Sequence, residues 1–151
     1  MLQQLKKLIS SRRVLFVGVG NVLKNDDGIG VYICQEIQKN PHVDGLVVET
    51  SIEKYIGKIN NLNPEVLVLI DCMFFPGKKA GFFDFLSTEK ISQYVMNTHN
   101  ISLGNIANFF SMPVYILGIH PENTDYGEHI SGKLKEVAKQ IITYINEATE
   151  L

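Results

Sequence analysis

A chain of 151 residues is the size of one domain, long enough to bury a hydrophobic core, and no second domain is expected. Charged residues make up 20% of it and the formal net charge is −2, which argues against the broad basic footprint that nucleic acid demands. No apolar run reaches the roughly 18–20 residues needed to cross a bilayer, so neither a membrane nor a nucleic acid is expected as a partner.

Leu2, Leu5, Leu8 and Ile9 recur at helical spacing with lysines between them, predicting a short amphipathic helix. The segment Met1–Arg13 has no apolar core or cleavage site of a secretory signal, so a cytoplasmic location is expected. Val14 to Val17 is a continuous apolar run, as in a strand buried on both faces of a parallel sheet. Gly18, Gly20 and Asn21 end it and turn the chain at the carboxyl edge of the sheet. The acidic pair Asp26 and Asp27 follows, then Gly28, Gly30 and a helical stripe of Ile29, Ile33 and Ile37, so Asp27 is expected near a helix N-terminus. Asn40-Pro41 closes that helix, Asp44-Gly45 turns the chain, and Leu46 to Val48 is the second strand.

Ser51 is placed to cap a helix through Ile52, Ile56 and Ile59, which Asn63-Pro64 ends. Val66 to Ile70 is the clearest strand and terminates on Asp71. In the loop from Cys72 to Lys79, Phe74 and Phe75 read as core, with a peptide groove as the alternative. Gly81 to Leu86 reads as a strand, and Ser87 caps a short turn. His99 precedes a helix carrying Ile101, Leu103, Ile106, Ala107 and Phe110, and Val114 to Ile119 is the last strand. His120-Pro121 and a polar loop, Glu122 to Gly127, lead to a closing helix with Ile130, Leu134, Val137, Ile141, Ile142 and Ile145 on its apolar stripe.

Strands alternating with helices predict an α/β domain with a mostly parallel sheet, in which ligands bind beyond the carboxyl ends of the strands. Three such ends carry Asn21 to Asp27, Asp71 and His120. Asp27, Asp71 and His99 form a mixed oxygen and nitrogen set suited to zinc, nickel, cobalt or manganese. Each also has a plainer reading, since an aspartate at a strand end bonds loop backbone and a histidine before a helix caps or packs. A dinucleotide turn is disfavoured by Leu23 where the third glycine belongs, and by two acids facing phosphate. Neither a Gly-x-Ser-x-Gly elbow nor a zinc-protease HExxH helix is present. Cys72 has no assured basic neighbour, Cys34 reads as a buried small hydrophobe, and the two lack CxxC spacing.

Gly18-Val-Gly-Asn-Val-Leu-Lys-Asn-Asp-Asp-Gly-Ile-Gly-Val31, Val68-Leu-Ile-Asp71, Thr98-His99 with Leu103, and Gly118-Ile-His-Pro121 together resemble the hydrogenase maturation proteases. These endopeptidases trim the C-terminus of the large subunit of nickel-iron hydrogenases. The resemblance runs from about Val14 to the closing helix. It implies a single three-layer α/β/α domain, phosphorylase/hydrolase-like, over residues 1–151. It implies further that Asp27, Asp71 and His99 are both the catalytic and the metal-binding residues of an aspartyl-type or metal-dependent peptidase. The nickel is expected to come with the substrate, the precursor of a hydrogenase large subunit, with another divalent metal possible in the isolated protein. Attack by a water on the metal and general-base catalysis by a carboxylate both remain open. Asn21 and Asp26 match the motif as shapers of the loop. The chain departs from the family at His120, where glutamine is common, and this histidine either adds a ligand or caps the loop. A nickel carrier without proteolysis and a small-molecule α/β module are the alternative functions.

Overall fold

The computed structural model describes residues 2–91 and 105–148. The elements are α1 (Leu2–Ser11), β1 (Val14–Val19), α2 (Ile29–Cys34), β2 (Val43–Glu49), α3 (Ile56–Leu62), β3 (Val66–Cys72), β4 (Phe83–Ser87), β5 (Val114–Ile119) and α4 (Gly132–Ala148). Short 3₁₀ turns at Asn25–Gly28 and Ile52–Tyr55 lead into α2 and α3. The strands form one sheet in the order β2-β1-β3-β5-β4, parallel except for β4, which runs antiparallel to β5 at the edge.

Every residue of β1 and β3 is buried, because helices cover both faces of the sheet. Alternation divides these strands between two cores. Val14, Phe16, Val66, Val68 and Ile70 meet α1, α2 and α4 through Leu5, Ile9, Ile33, Leu134, Ile141 and Ile145. Leu15, Val17, Leu67 and Leu69 meet the opposite layer, with Ile52, Ile59, Ile106 and Phe110. This is the expected three-layer α/β/α arrangement.

The chain leaves β1 for β2 on one side and returns to place β3 on the other, so the strand order reverses between β1 and β3. A crevice opens at that reversal in a doubly wound sheet. Gly30, near the start of α2, makes the helix fit there: a Cβ at this position would overlap the carbonyl oxygen of Ile70 and crowd that of Val19.

Several local expectations need correction. The second helix stops at Cys34, well before Asn40-Pro41, because Glu36 and Ile37 donate to Ile33 and Cys34, tightening the end to i→i−3 bonds. Asp44 and Gly45 do not turn the chain but extend β2, which pairs with β1 from Val43. Ser51 makes no capping hydrogen bond, and a 3₁₀ turn starts there instead. The fourth strand begins at Phe83 rather than Gly81, whose φ of +89° suits a turn. Ile130 lies ahead of α4 and packs on the core from the loop. Of the helix expected before Met112, residues 105–109 are helical and the remainder lies outside the described residues.

Candidate active site

β1 delivers the loop after Val19 to the crevice, and hydrogen bonds at short range fix its path. The backbone N–H of Gly20 donates to Glu49 O (2.9 Å), tying the loop to the end of β2. Asn21 Oδ1 accepts from the N–H of Leu23 (2.9 Å), an Asx turn that bends the chain back. Lys24 N donates to Asn21 O (3.1 Å) and Asp27 N to Lys24 O (3.0 Å). Asn21 thus shapes the loop, the role implied by the motif.

The two acids that follow take opposite directions. Asp26 is fully buried, and its carboxylate accepts from Glu122 N and Asn123 N (both 3.0 Å), Ser131 N (2.7 Å) and Ser131 Oγ (3.0 Å). Asn25 reinforces the clasp, its Oδ1 accepting from His129 N and its Nδ2 donating to Asp125 O. The loop after β5 is therefore held against the 3₁₀ turn by side chains as well as backbone. Ser131 and Asn123, the partners of Asp26, had no signal in the sequence, because nothing local marks a residue that donates across about a hundred positions.

Asp27 is half-buried and turns the other way. Its Oδ2 accepts from Asn21 N (2.8 Å), while among the described residues Oδ1 accepts no hydrogen bond. It lines a cleft of about 510 Å³ with Val19, Asn21, Lys24, Thr50, Ile52, Glu53, Ile106 and Phe109. Asp71, fully buried at the end of β3, bonds the N–H of Cys72 through Oδ1 (2.7 Å). Gly20, at φ +139°, sits between the two acids: a Cβ there would overlap Asp27 O and stand 3.4 Å from Asp71 Oδ1. The structure so brings Asp27 and Asp71 to one place. His99, the third expected ligand, lies outside the described residues, and among the described residues no three histidine, cysteine or acidic side chains converge as a metal set.

Electrostatics reports the same proximity. Burial pushes the Cys72 thiol well above its ordinary value, and Asp71, Asp27 and Asp26 push it further, against a smaller opposing effect of Lys24. Cys72 is thus held as a neutral thiol and is no nucleophile. Cys34 is buried too, its thiol raised by burial to about 11, and it donates weakly to Phe16 O. Neither cysteine is in a disulfide.

His120 does not face an open coordination position through Nδ1, because that nitrogen accepts the N–H of Phe75 (3.0 Å). Its backbone also bonds Phe82 O and Gly81 N, so it pins both ends of the loop from Met73 to Phe82. Phe75 is fully buried core, stacked edge-on against Phe82, while Phe74 is half-buried with its ring against His120. Among the described residues, no helix is long and apolar enough to cross a membrane.

No family model matches the chain. A Methanocaldococcus jannaschii protein assigned to the hydrogenase maturation proteases is 24% identical over 162 residues, spanning 97% of this chain and 94% of its own. The crystal structure of the nickel-iron hydrogenase maturation protease HycI from Thermococcus kodakarensis superposes with a TM-score of 0.82 at 27% identity, covering 98% of this chain and 99% of that one. The hydrogenase maturating endopeptidase HybD of Escherichia coli shares the fold, with a TM-score of 0.70 at 20% identity over 90% and 93% of the two chains. In fold and in sequence, over nearly its whole length, the chain is similar to the hydrogenase maturation proteases.

Proposed function

We propose that this protein is an endopeptidase that removes a C-terminal peptide from the nickel-loaded precursor of a nickel-iron hydrogenase large subunit. The observation that carries the reading is the Asp27 carboxylate: one oxygen is held by Asn21 N–H, the other accepts no hydrogen bond among the described residues, and the residue lines a cleft at the β1/β3 reversal, near Asp71. A buried carboxylate made only for structure has its acceptor sites filled, as Asp26 does. An oxygen left available beside a second acid suits either a divalent ion or the proton of an attacking water.

Asp27, Asp71 and His99 would together hold the nickel that arrives in the substrate and so align the scissile peptide beside it. Nickel belongs to the precursor in this reading, and an empty precursor offers these side chains nothing to grip. The carboxylates orient the attacking water and receive its proton. The apolar lining of the cleft, Val19, Ile52, Ile106 and Phe109, suits the extended apolar portion of a peptide and limits competing water.

The test is mass spectrometry of nickel-loaded and empty large-subunit precursors after incubation with the protein or with Asp27→Ala. Loss of one C-terminal peptide, from loaded precursor and unmodified protein alone, is the expected result. An intact loaded precursor together with nickel transfer into the empty one would instead make the protein a carrier.

A further inference from the structure

We propose that Lys24 is a catalytic residue of this site, the cation that faces the carbonyl oxygen of the scissile peptide bond. The inference rests on the protease reading above and assigns a role to a side chain that this reading leaves idle.

The geometry begins in the backbone. Lys24 is the residue from which the Asn25–Gly28 3₁₀ turn starts, and Asp27 stands three positions later. Lys24 and Asp27 line the same cleft. Lys24 is fixed on both sides, by its own N–H to Asn21 O, by its carbonyl to Asp27 N, and by the bonds that tie Leu23 and Asn25 to Gly127. Lys24 is half-buried in the cleft lining.

Charge balance supplies the second strand of the argument. The other charged groups of the cleft and its floor are acids: Asp27 and Glu53 on the lining and Asp71 beneath. Among the described residues Lys24 has no carboxylate within 4 Å, so its charge is not consumed by an internal ion pair. It is also felt at the floor, where it opposes the effect of the three aspartates on the Cys72 thiol.

Peptide hydrolysis raises negative charge on one atom, the carbonyl oxygen. The water oxygen bonds to the carbonyl carbon, a site carboxylate takes the water's proton, and the C=O π pair moves onto oxygen. Collapse of that oxyanion breaks the C–N bond, and the amine leaves with the proton the carboxylate had taken. In a site lined with acids the oxyanion would be repelled, and a positive group on the cleft that Asp27 lines lowers that cost without itself gaining or losing a proton.

The experiment measures initial rates on nickel-loaded precursor over a range of concentrations for the unmodified protein, Lys24→Met and Lys24→Arg, with thermal melting as the control for folding. Removing one donor to an oxyanion typically costs about 10²–10³ in kcat, and that loss is expected for Lys24→Met with KM and Tm little changed. Lys24→Arg, which keeps the charge, should recover at least about tenfold of it. An unchanged kcat in Lys24→Met, or a loss carried wholly by KM, overturns the proposal. If the unmodified protein leaves the loaded precursor intact, the protease reading falls and takes this assignment with it, an outcome visible in that arm alone.

Discussion

On its inner side the Asn25–Gly28 turn meets the loop of residues 122–131, where Asp26 accepts four hydrogen bonds and is closed off from water. On its outer side it meets the cleft, where neighbouring Asp27 accepts one hydrogen bond from the described residues and leaves its other oxygen without one among them. Two identical side chains, one peptide bond apart, are thus given different work by what surrounds them. A carboxylate supplied with donors to its full capacity is a strut, because any further ligand would have to displace a bond already made. One supplied with a single donor is oriented and still able to bind. The inner side makes the outer side possible, since the clasp on Asp26 fixes the turn from which Asp27 projects.

Exchanging the two roles by mutation gives the largest expected effects. Asp27→Asn should reduce processing of the loaded precursor by about 10³ or more, as expected when a general base or ligand is neutralised, with Tm nearly unchanged. Asp26→Ala removes the acceptor of three backbone N–H groups and one hydroxyl in a dry site. It should cost about 3–5 kcal/mol of stability, read from urea unfolding. If Asp27→Asn instead unfolds the protein and Asp26→Ala does not, the strut and the working acid have been assigned the wrong way round.

Gly20 tests the spacing between the loop and β3. Alanine at φ +139° is strained, and its methyl would overlap the carbonyl oxygen of Asp27 while approaching Asp71. Gly20→Ala should therefore cost about 2–3 kcal/mol, lowering Tm by roughly 5–10 °C, and should depress processing at temperatures where the variant is fully folded. Retention of wild-type processing by a folded Gly20→Ala protein would mean that the separation of the two acids is not critical.

The sequence makes some of this legible and leaves the rest hidden, for physical reasons. β1, β3 and β5 stand out because strands buried on both faces must be apolar throughout, and Asp71 is visible as the first acid after such a run. Strand ends in an α/β sheet share one edge, so the pairing of Asp27 with Asp71 follows once those strands are recognised. The extent of β2 does not show, because Asp44 and Gly45 have turn chemistry yet are held in register by β1. Nor does the division of labour between Asp26 and Asp27, which depends on Asn123 and Ser131, about a hundred residues away. The cleft wall from Thr50, Ile52, Glu53 and Phe109 is equally hidden, since it arises from two segments far apart in sequence that meet within the layer on the opposite face of the sheet.

His120 offers the finest test, because its contribution is set by pH alone. Its Nδ1 accepts the Phe75 N–H, and burial outweighs a hydrogen bond with the Met73 backbone to lower its pKa below the ordinary 6.5. The folded protein thus binds a proton at this site less readily than the unfolded chain. Stability from His120 is complete above about pH 6.5 and is lost as the pH falls below it toward the folded-state value, where the folded form too is protonated. Protonation would also put a hydrogen on the nitrogen that receives Phe75, releasing one anchor of the loop after Asp71. Glutamine retains an acceptor and does not titrate in this range. Urea midpoints at pH 5.5 and 8 should therefore differ less for His120→Gln than for the unmodified protein, the shared carboxylate titrations cancelling in the comparison. An equal or larger pH dependence in His120→Gln would show that the loop is held by something other than a neutral imidazole.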